Sequence, residues 1–178
     1  MPPRPSSGLA HLPSRLLDGL TWLGFGAAIL ALAVLTASYI YEIVARYFFR
    51  APTTWSSDVV GYALSATVFL ALPFITARGR HVAVTLVLDA VPRPVKSLMQ
   101  RLIDAIGAGA SLAAAWFSWT QNLRQFRLDI LTLANDPIPK WWITGLITAG
   151  LVLCGLHFLR HLLARDNLAP TPFAEIDL

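Results

Sequence analysis

Four long stretches without Asp, Glu, Lys or Arg dominate this chain of 178 residues. They cover residues 19–41, 59–77, 105–123 and 141–159. An α-helix rises about 1.5 Å per residue, so about 20 residues match the roughly 30 Å hydrocarbon core of a bilayer. Each stretch is therefore predicted to cross a membrane as a helix. The expected fold class is an all-α integral membrane protein with four transmembrane helices.

Composition and length leave little room for a soluble domain. Hydrophobic residues make up 56% of the chain and charged residues 13%, which is too apolar for an ordinary soluble protein. We predict one membrane domain at 16–163, with loose tails rich in proline and polar residues at 1–15 and 164–178. The first apolar stretch exceeds the roughly 7 to 15 residues of a signal peptide, so we interpret it as an uncleaved helix.

The cationic residues predict an orientation in the membrane. The formal net charge is +4, but Lys and Arg lie at the ends of the apolar stretches instead of forming the single stripe typical of nucleic-acid binding. Nine of the 14 lie on the side of the two tails and the middle loop, and five lie on the other side. Cytoplasmic loops are enriched in Lys and Arg, so we expect both termini in the cytoplasm and no nucleic-acid partner. The outer interface then holds five tryptophans, which anchor the protein or dock a partner: Trp55, Trp116, Trp119, Trp141 and Trp142.

The middle loop, 82–103, is predicted to be an interfacial segment. Residues 82–91 are almost all apolar but too few to cross a bilayer. Two prolines separate them from residues 95–103, in which apolar side chains recur with helical spacing. We therefore predict an amphipathic segment that lies along the cytoplasmic membrane surface or against a partner.

The sequence shows no pattern typical of an enzyme, a cofactor site or an ion pathway. No nucleophile stands beside a His and an acid, and no phosphate-binding loop or cluster of metal ligands occurs. His157 and His161 share a helix face but lack an evident third ligand, so we predict no metal, no cofactor and no enzyme. Small residues spaced four apart predict close helix packing instead: Gly61 with Ser65, Gly107 with Ser111, and Gly145 with Ala149.

Several charged residues and one proline have local structural interpretations. Glu42 and Arg46 are spaced i, i+4 and are predicted to pair at the end of the first helix. Asp58 lies near the start of the second helix, where a negative charge stabilises the helix dipole. Pro73, inside the second span, is predicted to kink that helix.

The order of motifs along the chain resembles a known family. The matching residues are Arg46-Tyr47-Phe48-Phe49, then Trp55 and Asp58, then Arg78-Gly79-Arg80-His81, and finally Pro139 and Trp141. This pattern resembles the DctQ-like small permease subunit of tripartite ATP-independent periplasmic (TRAP) transporters, over all four spans. The candidate subunit-contact or structural residues are Arg46, Tyr47, Trp55, Asp58, Gly79, His81, Pro139 and Trp141.

The resemblance implies a non-catalytic scaffold in the bacterial inner membrane. In that family a large multi-span permease subunit carries the substrate and sodium sites, and a periplasmic substrate-binding protein delivers mostly organic acids. Both proteins and membrane lipid are thus the expected partners. Two other hypotheses stay open at this point. A membrane anchor of a respiratory complex would bind haem through histidines on facing helices, and a self-sufficient carrier would need polar groups lining its interior.

Overall fold

The computed structural model describes residues 12–78, 93–134 and 137–163. It contains the helices α1 (Leu12–Phe48), α2 (Ser56–Ala77), α3 (Arg93–Arg127) and α4 (Lys140–Leu163). All four are long and apolar enough to cross a membrane. The described ranges contain no β-strand apart from one isolated bridge. For the described residues, the predicted all-α class is confirmed, with four helices that are long and apolar enough to cross a membrane.

The helix α3 is longer than the third apolar stretch predicts. Residues 93–103, which we predicted as part of the interfacial segment, are the first turns of a continuous 35-residue helix. The preceding part, residues 82–92, lies outside the described residues, so an amphipathic segment along the membrane surface stays a prediction.

The helices pack in the order α1, α2, α4, α3. Contacts join α1 to α2, α2 to α4, and α4 to α3. The chain thus forms two antiparallel hairpins, α1–α2 and α3–α4, which meet mainly through α2 and α4. Large apolar side chains such as Leu23, Leu30 and Ile106 are exposed on the outer faces. Such surfaces suit lipid or a protein partner better than water.

The contact between α2 and α4 depends on a proline and a glycine. Pro73 is fully buried inside α2 and has no N–H, so the carbonyl of Phe69, four residues earlier, loses its helical donor. Gly150 of α4 lies against that carbonyl: an added Cβ would be 2.9 Å from the carbonyl carbon and closer still to the oxygen. The Gly150 Cα–H therefore faces an oxygen with spare acceptor capacity. Further along the same contact, Thr76 and Cys154 lie 3.4 Å apart, Oγ1 to Sγ.

The predicted small-residue positions have different surroundings in the structure. Gly107 packs against the ring of Phe158, where an added Cβ would be 2.8 Å from the nearest ring carbon. Gly145 faces Asn122: a Cβ added to Gly145 would lie 3.3 Å from the side-chain nitrogen of Asn122. Gly61, in contrast, borders open space. Spacing alone therefore does not separate the glycines at helix contacts from those on the free surface.

The C-terminus of α3 is a Schellman motif with an aspartate at its left-handed position. Asp129 has φ 48° and donates its N–H to the carbonyl of Phe126 at 3.4 Å. The N–H of Ile130 donates to the carbonyl of Gln125 at 3.0 Å. This position usually holds glycine, because a side chain raises the energy of the left-handed conformation.

We expect Asp129→Gly to stabilise the protein. Glycine relieves the left-handed strain but has greater entropy in the unfolded chain. The net effect should raise the free energy of unfolding by about 0.5–1 kcal/mol. The thermal midpoint of the purified protein in detergent measures this gain. Asp129→Ala removes the same carboxylate but keeps the Cβ, so it should not raise the midpoint. If glycine and alanine have equal effects, the carboxylate and not the backbone decides the stability here.

Candidate subunit-contact site

A buried carboxylate holds together the corner between α1 and α2. Glu42 accepts hydrogen bonds from Nε and Nη2 of Arg46, at 3.1 and 2.5 Å. Its second oxygen accepts the backbone N–H of Thr53 at 3.0 Å and also the Thr53 hydroxyl. The predicted pair of Glu42 and Arg46 is confirmed. Glu42 additionally ties the loop at 49–55 to the end of α1, which the sequence analysis did not predict.

Further contacts fix the start of α2 against α1. The Ser56 hydroxyl donates to the carbonyl of Ser38 at 3.0 Å. The ring of Trp55 stacks on Tyr41 with centroids 5.8 Å apart. Asp58 lies in the first turn of α2, as predicted for a carboxylate at a helix N-terminus.

The end of α1 and the first residue of the following loop present aromatic side chains outward from this corner. Tyr47, Phe48 and Phe49 are 76%, 82% and 75% exposed. The Arg46 side chain is 58% exposed although it is bonded to Glu42. Rings held on a rigid backbone at the end of a membrane helix suit the headgroup region or a protein surface.

We expect Glu42→Ala to loosen the loop at 49–55. The substitution removes the acceptor of four hydrogen bonds, so the thermal midpoint should fall and the loop should become more sensitive to protease. Glu42→Gln keeps one carbonyl acceptor and should have a smaller effect. Limited proteolysis of the purified chain, with mass spectrometry of the cut sites, measures the change. If the alanine variant is cleaved at the same rate as the wild type, the positions of Thr53 and Arg46 do not depend on their bonds to Glu42.

The corner between α3 and α4 is built around Trp141. Its carbonyl accepts a hydrogen bond from Nδ2 of Asn122 at 2.8 Å. Its ring meets Phe126 edge to face, with centroids 5.4 Å apart. One turn into α4, the Thr144 hydroxyl donates to Oε1 of Gln125 at 2.5 Å. These contacts fix the first turn of α4 against the last turns of α3.

The loop between α3 and α4 is tied both to itself and to α2. Pro139 pairs with Leu131 in the isolated antiparallel bridge. The Thr132 N–H donates to the carbonyl of Ile138 at 2.9 Å, and the Tyr62 hydroxyl donates to Oγ1 of Thr132 at 2.9 Å. The sequence analysis did not select Tyr62 or Thr132, because a single polar residue in a span or loop carries no spacing signal.

Six of the eight candidate residues lie at one end of the helix bundle. Arg46, Tyr47, Trp55 and Asp58 belong to the α1–α2 corner, and Pro139 and Trp141 to the α3–α4 corner. The bond between Tyr62 and Thr132 joins the two corners. The other two candidates, Gly79 and His81, lie outside the described residues. Their role as contacts or supports therefore stays a prediction.

At the opposite end of the bundle, polar side chains join α1 to α4. His157 is 1% exposed, and its Nε2 lies 2.8 Å from the Thr21 hydroxyl. That hydroxyl donates its own hydrogen to the carbonyl of Leu17 at 2.9 Å, so its oxygen accepts from the Nε2–H of the histidine. One turn closer to the end, Arg160 and Asp18 form an ion pair at 2.6 Å.

Comparison with known protein families identifies the chain. A family model described as the DctQ component of tripartite ATP-independent periplasmic transporters matches residues 35–167. The chain belongs to the DctQ family. It is therefore the small membrane component of a tripartite transporter and a multi-pass membrane protein. A comparison with curated proteins finds no match.

The hydroxyl groups inside the spans of this DctQ protein bond mainly to their own helices. Thr36 donates to the carbonyl of Leu32 at 2.9 Å, and Ser65 donates to that of Gly61 at 3.1 Å. Thr67 follows the same i, i−4 pattern at 2.8 Å. Each of these hydroxyls therefore has a hydrogen-bond partner within its own helix. Their donor hydrogens are already used within the helices.

Proposed function

We propose that this DctQ protein is the non-catalytic small subunit of a TRAP-type secondary transporter. It scaffolds the large permease subunit in the inner membrane during sodium-coupled uptake of organic acids, which a periplasmic binding protein delivers. The observation that carries the proposal is the family match over residues 35–167. Both termini are proposed to face the cytoplasm, because most Lys and Arg residues flank that side.

The chemistry of the spans supports a scaffold. The four apolar stretches contain no Asp, Glu, Lys or Arg. Proton and ion pathways in membranes usually use such groups or unwound helices that line a cavity. The coupling sites are therefore expected in the large subunit, and this chain supplies packing surface.

The proposed contact surface is the end that holds the two corners. The exposed rings of Tyr47, Phe48 and Phe49 lie in the segment between Arg46 and Thr53, the two residues to which Glu42 is bonded. Aromatic residues on a fixed backbone are frequent anchors of protein interfaces. The haem-binding alternative is not favoured, because Nε2 of His157 is already bonded to Thr21 and would have to leave it to ligate iron.

A pull-down from native membranes tests the proposal. The tagged chain is solubilised in a mild detergent, and everything retained is identified by mass spectrometry. A much larger multi-span protein in comparable amount is the expected result. Recovery of a haem or flavin enzyme, or of the chain alone, would contradict the proposal.

Variants of the exposed rings test the surface. Tyr47→Ala combined with Phe48→Ala should reduce recovery of the large subunit several-fold. Leu23→Ala combined with Leu30→Ala is the control, since both leucines are exposed on α1 away from this end. Equal recovery with both double variants would show that the contact surface lies elsewhere.

A further inference from the structure

An apolar groove of about 970 Å³ runs along one face of α4. Its floor is α4 between Trp141 and Leu153. Residues Trp119 and Asn122 of α3 line one side, and Leu20 of α1 lies at the far end. The groove is therefore a feature of three helices, and it opens toward the surroundings of the bundle.

The groove offers only uncharged surface to an occupant. No charged side chain lines it. The lining amide of Asn122 donates to the carbonyl of Trp141 at 2.8 Å. The hydroxyl of Thr148 donates to the carbonyl of Thr144 at 2.8 Å. Since these two donors already have acceptors and the lining surface is almost entirely apolar, the groove favours a hydrocarbon over a charged ligand.

The length of the groove matches one leaflet of a bilayer. From Trp141 to Leu153, α4 advances by about 18 Å at roughly 1.5 Å per residue. One leaflet is about half of the roughly 30 Å hydrocarbon core. Trp119 and Trp142 stand half-exposed at the end near the α3–α4 loop, which is the level at which tryptophans meet headgroups.

The far end of the groove is closed by α1. There Thr21 of α1 bonds to His157 of α4 at 2.8 Å, one turn beyond Leu153. A transmembrane helix of a partner needs a surface that crosses the whole core, roughly 30 Å. Such a helix would collide with α1 at this closed end, whereas a single acyl chain ends before it.

We propose that the groove binds an acyl chain of a phospholipid from the leaflet on the side of the α3–α4 loop. Trp119 and Trp142 lie at the level of its headgroup, and the chain packs along Ala149 and Leu153. The lipid fills the space between α1 and α3, which do not pack against each other along most of their length. This binding site does not depend on the proposed transport function.

Photochemical labelling tests the site on the full-length chain. The protein is reconstituted into phosphatidylethanolamine vesicles that contain a trace of the same lipid with a diazirine near the middle of one acyl chain. After irradiation, mass spectrometry locates the adducts. We expect several-fold more adduct at Ala149, Val152 and Leu153 than at Ala113, which is exposed on α3 but does not line the groove.

A matched pair of substitutions separates the groove from the general surface. Ala149→Leu fills the groove and should lower its labelling several-fold, whereas Ala113→Leu should leave it unchanged. Even labelling over all exposed faces of the wild-type chain would overturn the proposal. Co-expression with the large subunit tests a protein occupant. If groove labelling is then lost and Ala149→Cys cross-links to the large subunit, the groove binds a protein segment instead of a lipid.

Discussion

Replacing Gly150 with alanine should separate α2 from α4 and destabilise the protein by about 2–3 kcal/mol. The new Cβ would lie 2.9 Å from the carbonyl carbon of Phe69 and closer to its oxygen. A backbone group cannot turn aside as a flexible side chain does, so the helices themselves must shift. This contact joins the two hairpins, and the Cα–H contact with the Phe69 oxygen is lost as well.

The single cysteine of the chain measures this separation directly. Cys154 is 2% exposed and lies one turn from Gly150 on the same helix. A thiol-reactive dye should therefore label it at a lower temperature in Gly150→Ala than in the wild type. Gly26→Ala is the control, because an added Cβ there meets nothing within 4 Å. If both variants label like the wild type, α2 and α4 do not approach as closely as the structure shows.

The four helices could be predicted from the sequence because their signal is local. An apolar stretch of about 20 residues needs a bilayer, whatever the rest of the chain does. The pair of Glu42 and Arg46 follows from spacing on one helix for the same reason. The third apolar stretch begins after Asp104, whereas α3 already begins at Arg93 and continues through Asp104. In the structure Asp104 is buried and accepts a hydrogen bond from Gln100 at 3.2 Å, so the charge does not end the helix.

The contacts between helices could not be predicted in the same way. Pro73 is visible in the sequence, and it leaves the carbonyl of Phe69 without its helical donor. The glycine that contacts this carbonyl is known only once α4 is placed beside α2. Gly150 follows no small-residue spacing that the sequence analysis selected. Likewise, Glu42 was paired with Arg46 but not with Thr53, because that bond depends on how the loop folds back. Pairings between distant segments depend on the helix order, which composition does not encode.

Replacing His157 with alanine should release α1 from α4. His157 and Thr21 are 1% and 0% exposed, and their hydrogen bond crosses between the two helices. Loss of the ring leaves a cavity as well as an unpaired hydroxyl oxygen, which together should cost about 2–4 kcal/mol. Thr21→Val has nearly the same shape and removes only the hydroxyl, with its bonds to His157 and to the carbonyl of Leu17, so a smaller cost of about 1–2 kcal/mol is expected. The midpoint of Cys154 labelling on heating measures both.

The double variant and a neighbouring histidine decide what this bond contributes. Once His157 is alanine, Thr21→Val should cost little more, because the partner of the hydroxyl is already gone. His161→Ala is the matched control: it removes the same ring one turn further along α4, where the side chain is only partly buried. If His157 and His161 instead bound a shared metal, their two alanine variants would destabilise the protein equally. A chelator added to the wild type would then lower its labelling midpoint to that of the variants. A large loss confined to His157 and coupled to Thr21 therefore separates a helix contact from a ligand pair.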